Sequence, residues 1–334
     1  MTKESVTIND IAQRAGVSIS TVSRVLRGTT PVSETKRTAV LDAVAALDYQ
    51  PNVFAQGLAS GQSMAIGVLT QNFGSPFYDT ILQGVVHGLH ESGYFPIFAD
   101  GEWNLERETA AILAMMQRKI DGLIVLGGHV AADVLGQYAE QVPLVVVGRH
   151  LPELEECCLQ LDNVQAAYTA TNYLIKLGHR HIAHISGRAD HPDAKDRLKG
   201  YRQALREAGI RPNPGLVVEG NFRRQSGVLA IEALLSRGLP VSAIFAANDQ
   251  MAFGARLALH RRGIRVPDDV SLVGVDDEPA AAFMIPPLTT IRQPGVELGL
   301  EAARIILGQL KGEALRPVSL TTELIVREST AVQR

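Results

Sequence analysis

The 334-residue sequence predicts an α/β protein, with an N-terminal three-helix helix-turn-helix headpiece and a two-lobed body of doubly wound parallel sheets. Three observations predict it. Residues 7–26 read as two short helices joined by a tight turn at Gly16. From Met64 onward, continuous apolar runs alternate with amphipathic stretches, the pattern of parallel strands covered on both faces by helices. That rhythm then runs a second time, which implies two such sheets in tandem.

In the headpiece, Thr7 is placed to cap the first helix, with Asp10 as its capping-box partner. Ile11, Ala12 and Ala15 give this helix a narrow apolar face, and Gly16 reverses the chain where a positive φ is needed. Ser18 caps a second helix, whose Val22, Val25 and Leu26 face inward at spacings of three and four. Ser33 caps a third, Glu34–Asp48, with Val40, Leu41, Val44 and Leu47 on one face. Pro51 interrupts the pattern. The stretch to Ala59, weakened by Gly57, is too short to hold a helix alone, and reads as a linker or as a helix ordered by a partner.

In the body, strands are expected at Met64–Leu69, Tyr94–Ala99, Gly122–Leu126 and Leu144–Val147, separated by helices near Tyr78–Ser92, Leu105–Arg118 and Ala131–Glu140. The second set has strands near Leu159–Leu161, Ile182–Ile185, Leu216–Glu219, Ala243–Ala246 and Ser271–Val275, with a last one at Thr322–Val326. Its helices fall near Ala166–Leu177, Lys195–Ala208, Gln225–Leu235 and Met251–Arg262. Ligands of open α/β sheets collect beyond the carboxyl ends of the strands, so a cleft between two such lobes is the expected site.

Composition narrows the function. At 46% hydrophobic and 20% charged residues the chain is an ordinary globular protein. No apolar run approaches ~18 residues, and the polar N-terminus lacks a signal-peptide core, so no membrane span and a cytoplasmic location are expected. Adjacent Cys157 and Cys158 have no metal-ligand spacing, so neither a disulfide framework nor a metal or cofactor is expected. The net charge is −3, and residues 1–60 hold six basic against five acidic side chains. Bulk electrostatics therefore does not suggest DNA, and if DNA is bound, positioned contacts from a small module must do it.

Those contacts are available. Ile19, Ser20, Ser23 and Arg24 point outward from the second headpiece helix, with hydroxyls at its N-terminus for phosphates and an arginine able to pair bidentately with guanine. The same residues also fit an ordinary αα-hairpin in a helical domain.

The TVSRVL run at Thr21–Leu26, the Asn52–Ala59 hinge and the two-lobed body together make the chain similar to the lactose-repressor (LacI/GalR) family of bacterial regulators. Further matches are Ser75-Pro76-Phe77, Leu177-Gly178-His179, Asp196-Arg197-Leu198-Lys199-Gly200-Tyr201, Ala247-Asn248-Asp249, Val273-Gly274-Val275-Asp276-Asp277 and Pro287-Leu288-Thr289-Thr290-Ile291. Arg149-His150-Leu151-Pro152 and Asp193–Arg197 resemble the galactose-repressor branch. The resemblance implies a body like a periplasmic sugar-binding protein and a homodimer on a near-palindromic operator. Ile19, Ser20 and Arg24 would read bases, with Thr7, Ser18, Thr21 and Ser23 nearer the phosphates. Asn52, Ala55, Gln56 and Leu58 would enter the minor groove, Leu58 as a wedge between bases. Gln56 stands where many relatives carry arginine.

For the effector, the resemblance points to Arg197, Asn248 and Asp276, to Phe222 as a stacking aromatic, and to Phe77, Tyr78 and Arg149. Each also admits a structural role. Phe222 fits a core, Arg197 fits a salt bridge to Asp193 or Asp196, and Asp276 or Asp277 fits a turn brace. The expected domains are 1–50 (headpiece), 51–62 (hinge) and 63–334 (effector binding and dimerisation). Within the last, one lobe takes about 63–161 plus 293–320 and the other about 162–292 plus 321–334. The expected function is a dimeric repressor of sugar-utilisation genes, released from its operator by a hexose or a derivative. The alternatives are a corepressor-dependent regulator of the same fold and a sugar-acting enzyme with a helical appendage. Against the enzyme, no phosphate loop or nucleophile elbow is visible. Asp276-Asp277 has poor geometry for acid–base work, and His179, His181 and His184 cannot share a face and read as helix capping. No leucine heptad follows the last strand, which favours a dimer over a tetramer.

Overall fold

The structure, a computed structural model, describes residues 6–27, 31–49 and 62–333, and the chain divides into the units Met1–Met64 and Ala65–Arg334.

Three helices make the first unit: α1 (Ile8–Ala15), α2 (Ile19–Arg27) and α3 (Glu34–Ala46). Ile11, Val22 and Val40 are fully buried between them, with Ala12 and Ala43 alongside. The expected start of α1 is present, since the Asp10 carboxylate accepts from the Thr7 N–H at 2.8 Å and from its hydroxyl at 2.7 Å. Those hydrogen bonds hold the Asp10 carboxyl below its ordinary range. Gly16 adopts φ +63°, which lets the Val17 N–H reach back to the Ala12 carbonyl at 3.1 Å. The third helix departs from expectation in three ways. It ends at Ala46, its Leu41 is 47% exposed because Ala43 takes the inward position, and the Ser33 hydroxyl makes no cap.

The second unit contains two sheets. β1 (Ala65–Thr70), β2 (Phe95–Asp100), β3 (Gly122–Leu126), β4 (Leu144–Val147) and β5 (Cys158–Leu159) form a fully parallel sheet in the order β2-β1-β3-β4-β5. Its helices are α4 (Pro76–Leu89), α5 (Leu105–Gln117) and α6 (Ala132–Ala139). Then come α7 (Asn163–Lys176), β6 (Ile182–Ser186), α8 (Pro192–Glu207), β7 (Val217–Glu219), α9 (Arg224–Ser236), β8 (Ala243–Ala246), α10 (Asp249–Arg261) and β9 (Ser271–Asp276). β10 (Thr289–Arg292), α11 (Gly295–Leu310) and β11 (Glu323–Ile325) complete the chain. The second sheet runs β11-β10-β9-β8-β6-β7, so β7-β6-β8-β9-β10 repeats the order of the first. β11 is an antiparallel edge strand.

Each sheet separates two apolar layers. In the first, Ile66, Val68, Ile124 and Val145 face α4 and α11, while Leu69, Leu123, Val125 and Val146 face α5 and α6. In the second, Ile185, Ile244 and Leu272 meet α9 and α10, while Phe245, Val273 and Val275 meet α7 and α8. The edge strands β2 and β7 are less covered than a continuous apolar run implies. β10 and α11 were not foreseen as elements. α11 packs across the first sheet against α4 so closely that a Cβ on Gly84 would stand 2.1 Å from the Val296 carbonyl, and one on Gly299 would stand 2.0 Å from that of Ile81.

Candidate functional site

In the headpiece, Ser18, Ser20 and Arg24 are exposed, Ile19 is 50% exposed, and Thr21 and Ser23 are half-buried on the same helix. Ser18 caps α2 as expected, its Oγ accepting from the Thr21 N–H at 3.3 Å. The same oxygen lies 2.9 Å from both Ser20 Oγ and Thr21 Oγ1, which clusters three hydroxyls at the helix N-terminus. A polar face with an exposed Arg24 and a hydroxyl-rich N-terminus suits phosphate positioning and base-edge contact. Thr7 is exposed, with its N–H and hydroxyl given to Asp10. The hinge residues Asn52, Ala55, Gln56 and Leu58 lie outside the described residues.

In the body, a cavity of about 440 Å³ opens beyond the carboxyl ends of both sheets. The first sheet contributes Gln71 after β1, Phe77 and Tyr78 from the first turn of α4, Trp103 from the turn after β2, and His129 after β3. The second contributes His191, Asp193 and Arg197, Phe222 after β7, Asn248 after β8, Asp276 at the end of β9, and Gln293 after β10.

Arg197 is only 3% exposed. Its Nε donates to Asn163 Oδ1 at 2.8 Å, its Nη1 donates to the Ala247 carbonyl, and its Nη2 stands 4.0 Å from Asp193 rather than beside Asp196. The guanidinium is thus fixed by α7, α8 and the loop after β8. Asn248 joins two more loops, accepting from the Met251 N–H at 3.0 Å to cap α10 and donating to the Phe222 carbonyl at 3.0 Å. The two aspartates after β9 part company. Asp277 takes Arg292 at 2.7 Å and Arg327 at 2.6 Å, which braces the turn. Asp276 lines the cavity and accepts from Gln293 Nε2 at 2.6 Å. Desolvation pushes its carboxyl up to about 7, with Arg197 pulling the other way.

Phe222, at φ +64°, fills both of the roles open to it. It packs on the second sheet's core and over Gly187, where a Cβ would come 2.0 Å from its ring, and it also lines the cavity. Phe77 and Tyr78 pair at 5.6 Å, and burial pushes the Tyr78 hydroxyl well up. Arg149 does not join them. It is absent from the lining, and its Nη1 donates to the Val130 carbonyl at 2.7 Å. A motif identifies the residue but not the direction of its side chain.

Sequence reasoning missed Trp103, His191, His129, Gln71 and Gln293. Trp103 is the chain's one tryptophan and sits in a Gly101–Asn104 turn after a strand, a signal that was there to be used. Its ring lies 4.2 Å from His191, 5.4 Å from His129 and 6.3 Å from Tyr78. Desolvation pushes the His191 imidazole down to about 4, so it is neutral at pH 7. The expected helix-capping role of the His179 group is corrected. Backbone N–H groups of Gly178 and His179 close α7, and the His179 ring instead meets Ser242, Ser271 and Gln333. His184 is buried between Tyr201 and Phe245, and burial pushes it down to about 4. Among the described residues no cluster of three or more His, Cys, Asp or Glu is placed to hold a metal ion, and no helix is long and apolar enough to cross a membrane.

Comparison with known proteins agrees with this geometry. Residues 7–52 match the family model of bacterial regulatory proteins, lacI family, and residues 171–330 match that of a periplasmic binding protein-like domain. The HTH-type transcriptional regulator CelR of Thermobifida fusca is 39% identical over 334 residues, covering 97% of this chain and 98% of the relative. A solved CelR–cellobiose complex is 37% identical with a TM-score of 0.72, covering 97% and 99% of the two chains. A lac repressor dimer bound to operator and the anti-inducer ONPF superimposes with a TM-score of 0.89 at 29% identity, covering 98% and 100%.

Proposed function

We propose, on the premise that the chain belongs to the LacI family of bacterial regulatory proteins, that it is a dimeric repressor whose hold on operator DNA is governed by a sugar in the cleft. The observation that carries the effector half is the convergence of fixed Arg197, of Asp276 held by Gln293, and of the ring of Phe222 at the carboxyl ends of one sheet. A planar apolar surface flanked by rigid donors and acceptors is what a polyhydroxylated ring requires. The solved relatives bind cellobiose in one case and operator DNA as a dimer in the other, which supports extending both properties to this chain.

On this reading Ser20 and Arg24 read the major groove, and residues 51–62 carry the cleft's state to the headpiece. A repressor of this kind works on cytoplasmic DNA, and the cleft binds its sugar without turning it over. Differential affinity for two states typically supplies ~1–3 kcal/mol, enough to change operator affinity 5–150-fold. The test is to titrate neutral sugars into a protein–operator complex followed by fluorescence anisotropy. Release is the expected result, tightening would make the ligand a corepressor, and turnover of the sugar that is lost in Asp276→Ala would make the protein an enzyme.

A further inference from the structure

We propose that the cleft is built for a neutral sugar of two linked rings, one stacked on Phe222 beside Arg197 and Asp276, the other on Trp103. This rests on the sugar-binding reading above and narrows its ligand class.

The aromatic surface is too long for one ring. Phe77, Tyr78, Trp103, His191 and Phe222 follow one another at centroid spacings of 5.6, 6.3, 4.2 and 4.9 Å, crossing from the first sheet's loops to the second's. A single pyranose held by Arg197 and Asp276 covers the Phe222 end and leaves the Trp103 end, where the indole meets Tyr78, His129 and His191, without a ligand. Tryptophan offers the largest stacking face of any side chain.

Trp103 is also held there against its own backbone preference. Glu102 and Trp103 adopt φ +51° and +53°, consecutive left-handed conformations that a bulky residue keeps only under constraint. The constraint is visible, as Gln71 Oε1 accepts from the Trp103 N–H at 3.1 Å and Asp100 Oδ1 accepts from the Glu102 N–H at 2.8 Å. The chain clears room beside it, since a Cβ on Gly127 would stand 3.0 Å from the indole.

Two polar atoms beside the indole are unsatisfied. Gln71 Nε2 and His191 Nδ1 are shielded from solvent without a hydrogen-bond partner in the protein. Buried groups of this kind are rare in native folds and ask for an explanation. Both flank Trp103, and hydroxyls of a second ring would satisfy them. Charge argues for neutrality. The lining holds five carboxyl groups, Asp276 with its raised pKa among them, against three arginines, and Arg188 and Arg197 already have partners in Asp190, Asn163 and Ala247. A phosphorylated sugar would meet repulsion.

Isothermal titration calorimetry on the full chain tests this with cellobiose, maltose, lactose, sucrose and trehalose against glucose, galactose, fructose and glucose 6-phosphate. At least one disaccharide is expected to bind about tenfold or more tighter than its component monosaccharides and than glucose 6-phosphate. Trp103→Ala should collapse that preference and Trp103→Phe should keep most of it. A monosaccharide or the phosphate binding as tightly as every disaccharide overturns the proposal, as does a preference that survives Trp103→Ala. Operator release by a monosaccharide alone would leave the repressor reading intact while removing this one. Absence of binding by every sugar, with operator binding preserved, removes both.

Discussion

Gln293 and Asp276, at the carboxyl ends of neighbouring parallel strands, share a 2.6 Å hydrogen bond inside the cleft wall. The bond aims a desolvated acid at the ligand space while Asp277, next in the chain, is tied away from it by Arg292 and Arg327. One aspartate thereby lines the cleft and the other braces the scaffold.

The Asp276 carboxyl has a pH signature. Desolvation raises it to about 7 in the fold, against ~3.9 for an unfolded chain. The native state therefore keeps a proton that the unfolded state has lost. Stability from this source is full below about pH 4 and is lost as pH rises to about 7. Asp276→Asn, which keeps an acceptor for Gln293, should raise the melting temperature at pH 8 by the equivalent of ~1–4 kcal/mol and leave it unchanged near pH 4. A parallel shift at both pH values would contradict desolvation as the cause.

Arg24 stands exposed on α2. Arg24→Ala should cost ~1–3 kcal/mol on the selected operator and much less on random duplex. Equal losses on both, measured by anisotropy at fixed salt, would reduce Arg24 to a phosphate contact.

Two helical glycines should respond oppositely. A Cβ on Gly84 collides with the backbone of α11, so Gly84→Ala should destabilise by ~1–3 kcal/mol or more. Gly136 in α6 has open space around it, so Gly136→Ala should stabilise by ~0.5–1 kcal/mol. Chemical denaturation of the two variants checks the pair, and a neutral Gly84→Ala would mean that α4 and α11 are not in close contact.

What was readable in the sequence was mostly local. Thr7, Asp10, Gly16 and Ser18 announce their helix ends because caps and left-handed turns act within a few residues. The parallel strands are visible because both faces are buried, so apolar residues run on without alternation. Other features depend on partners distant in sequence. Trp103 gains its place from Gln71 and His191, and Arg149 turns to Val130 for reasons no motif contains. α11 escaped notice because Gly295, Gly299, Ala302 and Ala303 are interleaved with Leu298, Ile305 and Ile306 on its buried surface, which blurs the stripe of large residues. Leu41 was placed on one face with Val40, Val44 and Leu47, where small Ala43 instead takes the buried position with Ile11, Ala12 and Val22.

The central claim is that a sugar in the cleft controls the grip of the headpiece on DNA. The direct measurement selects a duplex from a random pool with the full-length protein, then follows that complex by anisotropy while a sugar that binds by calorimetry is added. A near-palindromic site released in a saturable way, with release abolished in Arg197→Ala while operator binding persists, is the predicted result. An operator complex indifferent to a bound sugar, or no preference for any duplex, would contradict it.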